Sequence, residues 1–315
     1  MNPPAHQRDL NVLTGIALKV LSIAVFVAMQ SCIKMAGQLP AGQIAFFRSF
    51  FAFLPLIAFL TWRGDMRTAF STTRPGSHIF RGAVGATSML LGFFALTRLP
   101  LPEAIALNYA QPLLLVIISA VFLGETIRVY RWSAVVIGFV GVFIISWPKL
   151  TLFTSGGAMS NQEAMGVGAA LVAAALSAVA LLQVRGLVQT EKSATVVIWF
   201  TLTATVTSLL TMPFGWEPLN WSQAAFLIGC GICGGIAQIL MTESYRHASA
   251  STLAPFEYVS LLLGVVVGYL VFAEVPTSHM IVGGLIVIGA GLFIVIRERR
   301  LGLERSAARK VTQQQ

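Results

Sequence analysis

Two segments of the sequence place polar side chains at matching positions within apolar runs. The first is residues 104–125, AIALNYAQPLLLVIISAVFLGE, and the second is residues 253–274, LAPFEYVSLLLGVVVGYLVFAE. Their central polar residues are Asn108 and Gln111 in the first copy and Glu257 and Ser260 in the second. A separation of three residues puts each pair on one face of a helix. A carboxylate in such a position can bind an ammonium group or carry a proton, and the amides can hydrogen-bond a polar ligand.

Glu257 is the strongest of these candidates, because a carboxylate inside an apolar run is costly unless it is protonated, paired or wet. Its structural alternative is neutralisation by a buried cation such as Arg48. In the first copy, Pro112 frees the carbonyl group of Asn108, so the segment either exposes backbone to a ligand or is a plain packing kink. The full set of candidate substrate-binding or ion-binding residues is Gln30, Lys34, Arg48, Ser88, Asn108, Tyr109, Gln111, Gln183, Gln238, Thr242, Glu257, Tyr258 and Ser260.

Four basic residues also lie within apolar runs. Arg48 stands about 10 Å inside its run, too deep to reach the surface easily, so it faces the interior as a substrate contact or as part of an ion pair. Lys34 lies near the end of its run, where snorkelling to the lipid headgroups is the structural alternative to substrate contact. For Lys19 and Arg81 we expect snorkelling.

Membrane-spanning helices must position these residues. The composition is 56% hydrophobic and only 10% charged, whereas soluble domains have about 25% charged residues. Apolar runs of about 20 residues, long enough to cross a bilayer as helices, recur along the whole chain. They predict an all-α membrane protein with ten spans, at residues 13–36, 41–62, 79–97, 103–123, 132–147, 164–185, 194–215, 222–245, 251–271 and 279–296.

The basic residues between the spans predict the orientation of the chain. If the N-terminus is cytoplasmic, fifteen of the 21 Lys and Arg residues lie on the cytoplasmic side and two on the other side. This asymmetry follows the positive-inside rule and puts both termini in the cytoplasm. The net charge of +9 therefore indicates contact with anionic lipid and not with nucleic acid.

The two similar segments belong to a larger repeat of five spans. Because five is odd, the second copy enters the membrane from the opposite side, which makes the fold a 5+5 inverted repeat. We predict the following organisation: a cytoplasmic tail at 1–12, a first repeat at 13–147, an extracytoplasmic linker at 148–163, a second repeat at 164–297 and a basic cytoplasmic tail at 298–315. Leu261 replaces Pro112 in the second copy, so the sequence does not predict that the kink of the fourth span recurs in the ninth.

Longer stretches resemble a known family. FFALTRLPLPEAIALNYAQPLLLVIISAVFLGE followed by WSAVVIGFVGVFII, and YRHASASTLAPFEYVSLLLGVVVGYLVFAEVP followed by IVGGLIVIGAGLFI, are similar to the ends of two EamA domains of the drug/metabolite transporter (DMT) superfamily. QIAFFRSFF, with Arg48, adds to the likeness. The resemblance implies the basket fold of that superfamily, in which spans 1, 3, 4, 6, 8 and 9 line a central cavity and spans 5 and 10 pack outside it. It also implies the export of amino acids or similar metabolites.

Other function classes lack their motifs in this sequence. An enzyme would need a nucleophile elbow, a metal motif or a carboxylate pair, and an ATP-driven pump would need a phosphate-binding loop. The four histidines have no metal-ligand spacing, and Cys230 and Cys233 form a CxxC inside an apolar run without a redox context. We therefore expect no enzyme activity, no cofactor and no metal. A channel is the alternative from another class, although the polar residues are too sparse for a continuous lining.

We expect a multi-pass secondary carrier of the bacterial inner membrane that works by alternating access. Its cargo is a small zwitterionic metabolite, and amino acid export, with aromatic amino acids as one option, is the main hypothesis. The alternative is import or exchange of a larger metabolite such as a nucleoside-like cofactor. We expect a monomer or loose homodimer in the lipid bilayer, with coupling to protons as one option for the driving force.

Overall fold

Helices make up the regular structure of the protein in the computed structural model. The structure describes residues 5–64, 66–123, 129–151, 158–187, 190–248 and 253–312. Within these ranges ten helical spans follow one another, and the fourth and ninth consist of two segments each. They are α1 Ala5–Met35, α2 Ala41–Arg63, α3 Pro75–Leu96, α4 Leu101–Asn108 and Ala110–Leu123, α5 Val129–Thr151, α6 Ala158–Leu187, α7 Ser193–Leu209, α8 Trp221–His247, α9 Ala254–Tyr258 and Val259–Phe272, and α10 Ser278–Thr312.

All ten predicted spans have a helix. Six of the helices contain 18 or more residues that are apolar enough to cross a membrane, and four shorter apolar helices complete the set. The seventh predicted span is too long, because α7 ends at Leu209 and not at residue 215. A short 3₁₀ turn containing Pro213 follows, and Gly215 has a φ of 98°, a backbone conformation that suits glycine and ends the helix.

Consecutive helices run in opposite directions, which gives the molecule two faces. We call the face at which α1 begins and α10 leaves the bundle the terminal face, and the opposite one the distal face. On the terminal face, Arg63 of α2 forms an ion pair of 2.6 Å with Glu243 of α8. In the loop before α7, Glu191 accepts hydrogen bonds from Thr72 and Thr73, and the bond from Thr72 is the main cause of the lowered pKa of Glu191.

The helix pairings obey the predicted internal symmetry, in which each helix of the first half corresponds to the helix five places later. The pairing of α1 with α8 has its counterpart in α6 with α3, and that of α2 with α8 in α7 with α3. Three further pairings, α2 with α7, α4 with α9, and α5 with α10, join equivalent helices across the axis. The architecture is therefore the 5+5 inverted repeat that the sequence predicts.

Glycines allow the closest approaches between helices. A Cβ atom at Gly231 of α8 would lie 2.7 Å from the carbonyl oxygen of Phe47 in α2, and one at Gly235 would lie 2.8 Å from that of Ala52. On the other side of the bundle, a Cβ atom at Gly283 of α10 would lie 2.5 Å from the carbonyl oxygen of Gly141 in α5. Because these contacts are to backbone atoms, larger side chains cannot be accommodated by a change of rotamer.

The two equivalent helices α4 and α9 are interrupted at equivalent places. The first segment of α4 ends at Asn108, and Tyr109 is a turn residue before Ala110 begins the second segment. In α9 the residues up to Tyr258 form a 3₁₀ helix, and the α-helix starts at Val259. The doubt raised by Leu261 is thus resolved in favour of symmetry. In the first copy the proline, Pro112, follows the interruption at Tyr109. In the second copy Pro255 lies within the 3₁₀ segment that precedes the α-helix.

The apolar core is continuous only in the distal half of the molecule. One cluster of buried residues there joins nine of the helices, with Ile33, Ile44, Leu101, Leu227 and Met280 among its members. Toward the terminal face, the buried apolar residues of the described ranges form two separate small clusters. One is Leu56, Leu60, Ala69 and Ile198, and the other is Leu113, Ala134 and Ile294. The apolar packing is therefore one large cluster in the distal half and two smaller clusters toward the terminal face, each of which contains residues of both repeats.

Candidate functional site

An ion pair between α1 and α9 lies in the terminal half of the bundle. The Nζ atom of Lys19 is 2.5 Å from Oε1 of Glu257. The lysine side chain is 1% exposed, whereas that of Glu257 is 45% exposed. The expectation that Lys19 snorkels to the surface is therefore wrong. For the structural alternative, in which a fixed cation neutralises Glu257, the cation that the structure provides is Lys19 and not Arg48.

Tyr109 connects the interruptions of α4 and α9. Its hydroxyl group donates a hydrogen bond of 2.9 Å to the carbonyl oxygen of Glu257 and contacts Oγ of Ser260. The rings of Tyr109 and Tyr258 are 5.1 Å apart. The Tyr258 hydroxyl fills the space that a Cβ atom at Gly291 of α10 would take. Tyr109 and Tyr258, which occupy equivalent positions of the two repeats, thus connect α4 with α9 where these helices cross.

The polar face of α4 is exposed beside this crossing. Asn108 and Pro112, four residues apart, are exposed, while Leu107 and Leu113 next to them are 1% exposed. Gln111 is partly buried. Because the second segment of α4 packs against α5, α6 and α10, its exposed face is a narrow stripe. This stripe and Glu257 present an amide and a carboxylate at equivalent positions of the two repeats.

A second ion pair closes the distal face. Lys34, at the end of α1, pairs with Glu274 just after α9. The other carboxylate oxygen of Glu274 accepts a hydrogen bond of 2.9 Å from the backbone NH of Leu101, at the start of α4. Lys34 also lies over the ring of Phe272, 5.2 Å from its centroid. Glu274 therefore ties three helices together, and its repeat counterpart Glu125 lies outside the described residues.

Arg48 faces a cleft between α2, α7 and α8 instead of meeting Glu257. Its residue is 7% exposed, and Gln238 and Thr201 line the same cleft. The guanidinium group of Arg81, in α3, lies 4.2 Å from the ring centroid of Phe200, which lines this cleft. Two of the Arg81 nitrogens are buried, so the expectation that Arg81 snorkels is wrong.

The remaining candidates have more ordinary surroundings. Ser88 donates a hydrogen bond of 2.7 Å to the carbonyl oxygen of Ala173 and so joins α3 to α6. Thr242 bonds to the carbonyl oxygen of Gln238 in its own helix, at 2.8 Å. Gln183 is partly buried in α6, and the side-chain oxygen of Gln30 is buried without a hydrogen-bond partner. The structure brings Asn108, Tyr109, Glu257 and Ser260 together, and it separates them from Lys34 and Arg48.

Two functional candidates escaped the sequence reasoning. Lys19 lies about 9 Å inside its predicted span, the same depth as Glu257 in its own span, and this match could have paired them. Arg81 carried no comparable signal, because only the packing of α3 on α7 brings it near Arg48. In the described part of the chain, no group of three His, Cys, Asp or Glu residues is placed to hold a metal ion.

Ten helices in an inverted repeat, with ion pairs between the halves, define a multi-pass membrane transporter. The family model for EamA-like transporters matches residues 13–147 and 164–297. The chain belongs to this family, and with it to the DMT transporters, so it is a transporter of small molecules and not an enzyme.

Three relatives are similar over almost the full length. An S-adenosylmethionine uptake transporter of Rickettsia felis is 28% identical over 292 residues, which is 91% of this chain and 94% of that protein. A riboflavin transporter of Rhizobium johnstonii is 28% identical, over 92% of this chain and 90% of that protein. A pseudopaline exporter of Pseudomonas aeruginosa is 28% identical, over 88% of this chain and 94% of that protein.

A solved structure shares the fold. A crystal structure with 19% sequence identity has a TM-score of 0.62 and covers 91% of this chain and 98% of that chain. The whole ten-helix arrangement is therefore common to both molecules.

Proposed function

We propose that the protein is a secondary carrier that moves small zwitterionic metabolites, with amino acids as the first choice, by alternating access. One observation carries this proposal: the apolar core is one large cluster in the distal half, whereas toward the terminal face the clusters among the described residues are small and separate. A carrier that is closed at one side has this form. In a channel, by contrast, a continuous path would cross the distal half as well.

The chemistry at the start of α9 suits a cargo with an ammonium group. Glu257 is half-exposed there and offers a carboxylate in an otherwise apolar bundle. A cargo ammonium group or a proton that binds Glu257 competes with Lys19 for the carboxylate. Such competition couples binding to a rearrangement between α1 and α9, which belong to opposite repeats.

Export is the favoured direction, and uptake is the second candidate. With the terminal face in the cytoplasm, as the distribution of basic residues predicts, the side with the less continuous apolar core faces the cytoplasm. The relative from Pseudomonas aeruginosa is an exporter. The relative from Rickettsia felis takes up S-adenosylmethionine, a nucleoside joined to an amino acid, so uptake of a larger metabolite of this kind is the second candidate.

Counterflow in proteoliposomes tests the proposal. Vesicles preloaded with an unlabelled amino acid should accumulate the radiolabelled one transiently and saturably, first tried with phenylalanine, tryptophan, methionine and threonine. Glu257→Gln should abolish this activity if Glu257 binds the ammonium group. Glu217→Gln makes the same chemical change on an exposed distal loop and should leave it intact. Flux that rises linearly with concentration would contradict a carrier.

The direction needs a separate measurement. Cells that overproduce an exporter should tolerate toxic amino acid analogues better than control cells, and they should lose a preloaded radiolabelled amino acid faster. Cells that overproduce an importer of a nucleoside-bearing metabolite should instead accumulate S-adenosylmethionine from the medium. Accumulation without any gain in efflux would replace export by the second candidate.

A further inference from the structure

We infer that the cleft beside Arg48 is a binding site for the carboxylate of a small molecule with an apolar body. The site lies between α2, α7 and α8 and is separate from the Lys19–Glu257 pair. Its link to transport, in which the carboxylate belongs to the cargo, rests on the proposed function. Binding itself does not depend on that function.

The first observation is the state of Arg48. Its residue is more than nine-tenths buried, and its Nε atom is buried without a hydrogen-bond partner. Within the described ranges the guanidinium group has no ion pair and no hydrogen bond to protein, yet it lines an open cleft. Burying an unpaired charge costs several kcal/mol. A ligand that brings a negative charge would offset this cost.

The second observation is the other cation nearby. The Arg81 guanidinium lies 4.2 Å from the ring centroid of Phe200, which is one of the residues that line the cleft, and its charge has the same sign as that of Arg48. Two Arg81 nitrogens, Nε and Nη1, are buried without hydrogen-bond partners. The carboxylates in the described part of the chain are engaged elsewhere, for example Glu243 with Arg63 and Glu274 with Lys34. The pair of arginines therefore lacks a protein counter-ion among the described residues.

Gln238 of α8 also lines the cleft, and its side-chain amide can donate hydrogen bonds to a ligand there. An amide donor beside an unpaired guanidinium group is an arrangement that recognises an oxyanion.

The walls of the cleft favour a carboxylate on a compact apolar body. Leu56, Val197 and Phe200 form its apolar walls. A guanidinium binds a carboxylate through two parallel hydrogen bonds, and the walls would bury the attached hydrocarbon or ring.

Benzoate is a suitable probe, and its neutral amide, benzamide, is a matched control. Thermal unfolding of the purified protein in a neutral detergent should shift to higher temperature with benzoate, saturably and at constant ionic strength. Benzamide should give no shift. Arg48→Gln should weaken the apparent benzoate affinity at least about tenfold, which is the loss expected for a charge-assisted bidentate contact. Arg98→Gln, on the distal α3–α4 loop, should bind benzoate like the wild type.

The unliganded protein provides a second readout. Because Arg48 has no counter-ion among the described residues, Arg48→Gln without ligand should unfold at the same temperature as the wild type or a higher one. A structural ion pair would give the opposite result. Should Arg48→Gln not fold, Arg81→Gln is the second variant. It removes one of the two like charges and should also weaken benzoate binding.

Three results would overturn the inference. The first is the absence of a saturable benzoate shift in the wild type, and the second is an unchanged benzoate shift in both arginine variants. The third is an Arg48-dependent shift with phosphatidylglycerol or inorganic phosphate but not with benzoate. The last would assign the cleft to a phosphate group. Loss of counterflow in Glu257→Gln with intact benzoate binding would leave both proposals standing. Intact counterflow in that variant would count against the proposed function alone.

Discussion

The Nζ atom of Lys19 lies 2.5 Å from Oε1 of Glu257, and the lysine is buried while the carboxylate is half-exposed. This pair joins α1 of the first repeat to α9 of the second. Because the two side chains differ in exposure, the two residues have different roles. Lys19 is held in place by the bundle, and Glu257 is the partner that an incoming cation can reach.

Neutralising this pair separates its structural part from its part in transport. Glu257→Gln should lower the melting temperature, because it removes the carboxylate nearest to a buried ammonium group, at a cost of about 1–3 kcal/mol. The double variant Lys19→Met/Glu257→Gln should recover most of this loss. Counterflow should remain absent in both. Wild-type transport by the well-folded double variant would reduce the pair to a structural contact.

The distal ion pair should control access from that side. Glu274→Gln keeps the size of the side chain but loses the charge that holds Lys34 and the start of α4. We expect an impermeant thiol reagent, added to intact cells, to label Asn108→Cys about tenfold faster in this background than in Glu217→Gln. Equal labelling rates would mean that the pair does not contribute to the seal.

Two adjacent glycines in α10 test the packing. A Cβ atom at Gly283 would meet the Gly141 carbonyl oxygen at 2.5 Å, whereas one at Gly284 would meet only the end of Leu261 at 3.4 Å. Gly283→Ala should therefore lose about 1–3 kcal/mol of stability, seen as a lower melting temperature in detergent. Gly284→Ala should stay near the wild type. The reverse order would show that the α5–α10 crossing is placed wrongly.

The orientation of the chain is testable by labelling. Cysteines introduced at Glu217, in the loop before α8, should react with an impermeant thiol reagent on intact cells. Cysteines introduced at Ser306, near the end of α10, should react only after permeabilisation. Reaction of the Ser306→Cys variant from outside would invert the assignment of the two faces, and with it the side at which the carrier is closed.

The sequence predicts the fold well, because its strongest signals are long apolar runs and a repeat of odd length. The partner of Glu257 was not predictable in the same way, since a lysine within a span is compatible with both snorkelling and pairing. Only the packing of α1 against α9 decides between these. The interruption of α9 was not predictable from the sequence either. It occurs at the position equivalent to the α4 break although Leu261 replaces Pro112.

The most direct test of alternating access is a reversible lock on the distal seal. A Cβ atom at Gly264 of α9 would lie 3.9 Å from the Cβ atom of Ile105 in α4, within the range of about 3.5–4.5 Å for disulfides. The variant Ile105→Cys/Gly264→Cys is made in a transport-competent background without the native cysteines, with each single variant as its control.

The measurement is counterflow of a radiolabelled amino acid in proteoliposomes before oxidation, after oxidation and after reduction. We predict that oxidation stops counterflow in the double variant alone and that a reducing agent restores it, because the distal half must open in every cycle. Undiminished counterflow by the fully cross-linked protein would contradict the account.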